Sequence, residues 1–236
     1  MNKRLKKILI VILVLVLLLV GGFYGYVSVY YRADATTAQV LVNKETVQQK
    51  DNYILLTPDS PTDTTLIFYP GAKVEYLAYL PLLQQITKTS GINVILVKMP
   101  FNLAIFDAGA AEGIMKQYPN TRNWFIGGHS LGGAMASDYA SKHPDQVKGL
   151  ILLGAYPNGS YSLKNTLTVY GSLNTTVAEK VNYTENVVVI QGGNHAKFGN
   201  YGRQAGDPDA AITSLQQQTI TAQAVQEFLA DQGGVK

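Results

Sequence analysis

The stretch NWFIGGHSLGGAMASDYA, residues 123–140, decides the fold. It begins as a short apolar run and continues from Leu131 as an Ala-rich helical pattern. Between the two stands one hydroxyl, Ser130, flanked by Gly128 and Gly132. A strand ending at 127 and a helix starting near 131 must be joined by a very tight turn. Its apex residue takes strained backbone angles, and glycines at 128 and 132 let strand and helix approach. The expected product is a serine hydroxyl exposed at the C-terminal edge of a sheet, at the positive end of a helix dipole. G-x-S-x-G occurs often by chance, and a glycine-rich turn with an incidental serine is the plain alternative. The strand before it and the helix after it favour chemistry.

The surrounding chain has the matching organisation. Strand-like runs occur at 53–57, 65–69, 93–99, 123–127, 149–154, 166–170 and 186–191. Several are apolar without alternation, as expected of strands buried on both faces of a mostly parallel sheet. Amphipathic stretches at 75–89, 104–118, 131–142, 176–182 and 211–230 lie between them, and Pro81 is expected near the start of the first helix. Alternation of this kind predicts an α/β fold with helices on both faces of the sheet.

The N-terminus belongs to a different class. Lys3, Arg4, Lys6 and Lys7 precede residues 8–31, which carry no charged side chain. As a helix those residues would span about 36 Å at about 1.5 Å each, enough for a hydrocarbon core of about 30 Å. Tyr24, Tyr26, Tyr30 and Tyr31 crowd the far end, where rings favour the membrane interface. The apolar stretch exceeds that of a cleaved signal peptide, so an uncleaved signal-anchor is expected. The basic tail orients the N-terminus inward and the rest outside the cytoplasm. The expected division is 1–32 tail and transmembrane segment, 33–52 stalk and edge strand (with AQVLVN, 38–43, as a short strand), and 53–236 the catalytic-type domain.

The overall charge of +3 comes from that tail. Removing its four basic residues leaves 15 Lys and Arg against 16 Asp and Glu, a net of −1. A near-neutral domain gives no support for a nucleic-acid surface. Zero cysteines exclude disulfides, thiolate metal sites and a cysteine nucleophile. The three histidines are isolated and no carboxylates stand at ligand spacing, so neither a metal nor a cofactor is expected. The phosphate-loop Lys-Ser/Thr pair and the dinucleotide fingerprint are both missing.

The segments IFYPGAKVE (67–75), ILVKMPFNLAIF (95–106), GGHSLGGAMA (127–136) and VVIQGGNHAKFGNYGRQAGD (188–207) give the chain a resemblance to the α/β-hydrolase superfamily over about residues 53–230. It is similar to small bacterial hydrolases near the dienelactone-hydrolase and chlorophyllase-like branch. The resemblance implies Ser130 as nucleophile, with an oxyanion site of two backbone N–H groups. Those would be Leu131 and Ala72 (or Gly71); Lys73 is expected at the surface. The base must follow the last central strand, where His195 stands in IQGGNHAKFG. His129 is expected to point away from the serine hydroxyl, and His143 to end a helix at the surface. Where the superfamily carries an Asp or Glu orienting the base, this chain reads YGSLNTTVAEK (170–180), aligning Asn174 with the acid. Asn174 would accept the imidazole N–H through its amide oxygen, with Glu179 as the alternative.

The short connection from Gly154 to Thr166 predicts no large lid, and an open cleft lined by Tyr156, Phe101 and Phe106. The implied function is a serine hydrolase of carboxylesterase type, acting outside the cytoplasm on a small-molecule ester or related acyl compound. Two other readings stay open: a binding module weakened in catalysis, motivated by Asn174, and an acyltransferase using the same residues.

Overall fold

The computed structural model describes residues 2–235, and its contacts divide the chain after Tyr30. The first unit is one helix, α1 (Lys3–Ser28), whose start is capped by Asn2 Oδ1 accepting Arg4 N–H at 3.1 Å. Its 26 residues are long and apolar enough to cross a membrane.

The second unit holds α2 (Thr36–Leu41), β1 (Val47–Gln49), β2 (Tyr53–Leu56), β3 (Thr64–Tyr69), α3 (Leu80–Ser90), β4 (Asn93–Val97), α4 (Ala110–Gln117), β5 (Asn123–His129), α5 (Leu131–Lys142), β6 (Gly149–Leu153), β7 (Thr166–Gly171), α6 (Thr175–Ala178), β8 (Val187–Ile190) and α7 (Ser214–Asp231). One eight-stranded sheet runs in the order β1-β2-β4-β3-β5-β6-β7-β8. β1 and β2 pair antiparallel, as does β2 with β4; every other pair is parallel. This is the α/β-hydrolase fold.

The central strands are apolar throughout because both faces are covered. Leu66 and Phe68 of β3 point into one core with Val94, Leu96 and the buried faces of α3 and α7. Ile67 and Tyr69, one residue out of phase, enter the other with Ile95, Ile126 and Ala136 of α5. Phe68 is fully buried, so Phe68→Ala should cost about 3–5 kcal/mol. Local chemistry sets the helix ends. Pro81 lies in the first turn of α3, where its missing N–H is harmless, and Gly91 closes that helix in the left-handed conformation at φ 64°. Thr213 and Gln216 form a reciprocal capping box at the start of α7.

Two expectations about the juncture are corrected. Residues 38–43 are not a strand; α2 covers most of them, led in by Asp34 Oδ1, which accepts Thr36 N–H at 2.9 Å. Residues from 31 onward are also no free stalk. Tyr31 N–H donates to Lys73 O at 2.7 Å, Glu75 N–H to Tyr31 O at 2.8 Å, and Asp34 N–H to Asn200 O at 2.8 Å. Val40 and Val47 are buried in the core. The globular unit therefore begins at Tyr31, not at residue 53.

Candidate active site

The parallel strands β3, β5, β6, β7 and β8 bring their C-terminal ends to one sheet edge. Ser130 follows β5 there, at φ 54° and ψ −124°. For a non-glycine residue that conformation costs about 1–3 kcal/mol, which the neighbouring packing must hold in place. A Cβ on Gly128 would lie 2.5 Å from the Gly132 carbonyl carbon, and one on Gly132 would collide with the Tyr69 and Pro70 carbonyl oxygens. Only glycine fits at both. Ser130 N–H donates to Leu153 O at 3.0 Å, tying the turn to β6.

The same close approach sets the loop after β3 beside the start of α5. Gly71 N–H is already engaged, donating to the Tyr79 hydroxyl at 3.1 Å. Among the described residues Ala72 N–H and Leu131 N–H have no backbone acceptor. Of the two N–H groups left open by the sequence at 71 and 72, the structure engages Gly71 with Tyr79. Lys73 belongs to this loop, its N–H donating to Asn102 O at 2.8 Å.

Ser130, Leu131, Asn174 and His195 all line one open cleft of about 690 Å³. Ala134, Tyr156, Leu173 and Val177 supply apolar wall. Phe101 and Phe106 do not line it; their rings meet each other instead, centroids 5.7 Å apart. Between Ser130 Oγ and His195 no hydrogen bond is formed among the described residues.

His195 follows β8 in a loop clamped from α7. Gln217 accepts Asn194 N–H at 3.1 Å and donates to Asn194 O at 2.9 Å. Asn174 caps α6, its Oδ1 accepting Val177 N–H at 3.4 Å, and its Nδ2 lies 2.8 Å from His195 Nδ1. This corrects one expectation. The amide oxygen serves the helix cap, so the imidazole meets the amide nitrogen. With Nδ2 donating, Nδ1 accepts and the ring proton sits on Nε2. Glu179 is exposed at the end of α6 with no bond to His195.

Two partners of His195 were missed at the sequence level. His129 is fully buried; its Nδ1 is 2.8 Å from the Tyr79 hydroxyl and its Nε2 is 3.0 Å from His195 O. A carbonyl can only accept, so Nε2 carries the proton, Nδ1 accepts from Tyr79, and the Tyr79 oxygen accepts Gly71 N–H. That chain joins the loop after β3 to the His195 loop through β5, the strand that ends at Ser130. Burial, then the His195 charge, holds His129 well below the usual imidazole range. Asp207 is the second partner. Its Oδ1 accepts His195 N–H at 3.1 Å and its Oδ2 accepts Ala196 N–H at 2.8 Å. Burial lowers the His195 pKa, and the Asp207 carboxylate opposes that. The only advance signal for Asp207 was its place in a glycine-containing loop after the histidine. His143 ends α5, stacked on Tyr139 at 4.4 Å between centroids.

Solved structures share this architecture. Est1E from Butyrivibrio proteoclasticus is 16% identical, with 80% of this chain and 98% of that chain covered and a TM-score of 0.56. A dienelactone hydrolase from Anabaena variabilis is 18% identical, covering 76% and 90%, TM-score 0.51. A soluble variant of monoglyceride lipase from Saccharomyces cerevisiae is 11% identical, covering 77% and 94%, TM-score 0.53. At such identities the shared property is the fold. No curated protein matches the sequence. The model of the alpha/beta hydrolase family matches residues 65–219, about two thirds of the chain and the whole stretch from β3 into α7, and this protein belongs to that family.

Proposed function

We propose that this protein is a serine ester hydrolase anchored in a membrane by α1, with residues 31–236 outside the cytoplasm. The observation that carries the reading is Ser130, held at a positive φ at the start of α5 in a cleft that His195 also lines. Ser130 Oγ attacks the ester carbonyl while His195 Nε2 takes its proton. Ala72 and Leu131 N–H groups hold the oxyanion as it forms. The imidazolium then protonates the leaving alcohol, and water attacks the acyl-serine by the same route, releasing the acid and restoring Ser130.

This sequence needs the His195 proton on Nδ1, not Nε2. The Asn174 amide must turn over so that its oxygen accepts Nδ1–H, which forfeits the Val177 cap. The cleft is open and of modest volume, which suits a small accessible ester more than a buried long chain. A second reading, a binding module weakened in catalysis, is favoured by one observation, the amide nitrogen facing Nδ1.

A fluorophosphonate probe applied to the full chain separates them. Labelling that disappears in Ser130→Ala and drops in His195→Ala supports the hydrolase. An unlabelled parent chain, or a label that survives Ser130→Ala, removes it.

A further inference from the structure

We propose that Asp207 is a positioning residue for His195 and supplies the negative charge that position 174 lacks. The inference rests on the serine-hydrolase reading of the same site. An imidazole that takes a proton from a serine becomes a cation, and the reaction is slow unless a nearby anion stabilises it. Asn174 is neutral and offers its nitrogen. Asp207 is the carboxylate bonded directly to the base residue, through the His195 amide at 3.1 Å and the next amide at 2.8 Å. It also lines the cleft beside Ser130 and His195.

The loop is built to hold it there. Asp207 N–H donates to Gln204 O at 3.2 Å, closing a turn with Gly206 at φ 81°. Asn194 Nδ2 donates to Pro208 O at 2.7 Å, pinning the following residue to the histidine loop. The cation nearest in sequence, Arg203, pairs with Asp209 at 3.1 Å and leaves the Asp207 carboxylate to the two amides.

The other charged or titratable groups around His195 do not take this role. His129 packs against it with ring centroids 4.5 Å apart and stays neutral through burial. Lys197 in the same turn would add positive charge, and Glu179 is exposed with no bond to the ring. The arrangement places the charge at the backbone of the base, where the superfamily pattern has it at the Nδ1 side. Both routes stabilise the same cation through space.

The alternative is that Asp207 merely shapes the turn at residues 195–196. Nitrogen-15 histidine NMR of the full chain in detergent decides between the two, because it reads the His195 titration midpoint without needing turnover. Asp207→Asn keeps a side chain that can accept one of the two amides but removes the charge, so the midpoint should move to lower pH. Asp207→Glu, which keeps the charge, should leave it near the parent value. His129 resonances in the same spectra report whether the fold is intact. In parallel, kcat on a short chromogenic ester should fall about tenfold in Asp207→Asn, and less than threefold when Asn174→Asp is already present, since a carboxylate at 174 then carries the charge. An unmoved midpoint in a folded Asp207→Asn protein overturns the proposal. So does an equal fold-loss in both backgrounds. A parent chain without Ser130-dependent turnover would refute the hydrolase reading instead, and the NMR midpoint would still decide the charge assignment.

Discussion

Replacing Asn174 by Asp tests the site at the point where this chain departs from the superfamily pattern. In the structure one amide must serve two masters, the Val177 N–H of the α6 cap and the His195 imidazole. Turning the amide to accept Nδ1–H gives up the cap, a loss of about 1 kcal/mol. A carboxylate needs no such choice: one oxygen takes Val177 N–H and the other takes His195 Nδ1–H. It also brings a charge to about 4–5 Å from the imidazolium, worth about 3–4 kcal/mol at an effective dielectric of about 20. Asn174 is buried, so desolvation of the new carboxylate removes half of that gain, about 2 kcal/mol. The remaining ~1–2 kcal/mol corresponds to a rise in kcat of about 5- to 30-fold. Initial rates on a short chromogenic ester, with the full chain in detergent, should show this in kcat with KM little changed. The acidic limb of the pH profile should move to higher pH, because the carboxylate favours the charged imidazole. A folded Asn174→Asp protein with kcat at or below the parent's would refute the reasoning. Asn174→Ala should slow turnover and Glu179→Gln should be silent; the reverse pattern would assign the orienting role to Glu179.

Further outcomes follow from the network behind the site. Tyr79→Phe removes the hydroxyl that accepts Gly71 N–H and donates to His129 Nδ1, leaving two buried polar groups unpaired. We expect a stability loss of about 2–3 kcal/mol in denaturant titration and about a tenfold fall in kcat; a variant matching the parent in both would show that the link is idle. His129 and His195 are both held below their unfolded value, so the unfolded chain binds more protons as pH falls below about 6.5. Stability should therefore decline from pH 7 to 5.5, by at most about 1.4 kcal/mol per pH unit for each histidine, and a flat profile in melts of the full chain would contradict their burial as neutral groups. Protease added to intact cells should digest residues 31–236, whereas protection until lysis would reverse the proposed orientation.

Strand–helix alternation and the glycine-flanked serine made the fold readable in advance, because both are local. Unbroken apolar runs record burial on two faces, and Gly128 and Gly132 record a close approach within a few residues of Ser130. That His195 would stand in a loop just past the last apolar strand was legible for a related reason, and the structure places it in the cleft with Ser130. Local signals also misled. The β-branched residues of 38–43 suited a strand, yet Thr36–Leu41 form α2, with Asp34 Oδ1 accepting Thr36 N–H just before it. What tertiary structure decided were the partners of groups that can bond in more than one way. The Asn174 amide has an oxygen and a nitrogen, and which one meets His195 depends on where α6 begins. His129 carries two ring nitrogens, and their roles follow from Tyr79, fifty residues away in sequence, and from the His195 carbonyl. Asp207 reaches His195 only because its turn folds back against that loop. Tyr31 joins the domain because its N–H and C=O meet Lys73 O and Glu75 N–H, residues more than forty positions away in sequence. Periodicity specifies which face of an element is buried, but hydrogen-bond partners between distant segments exist only once packing has set their distance and direction.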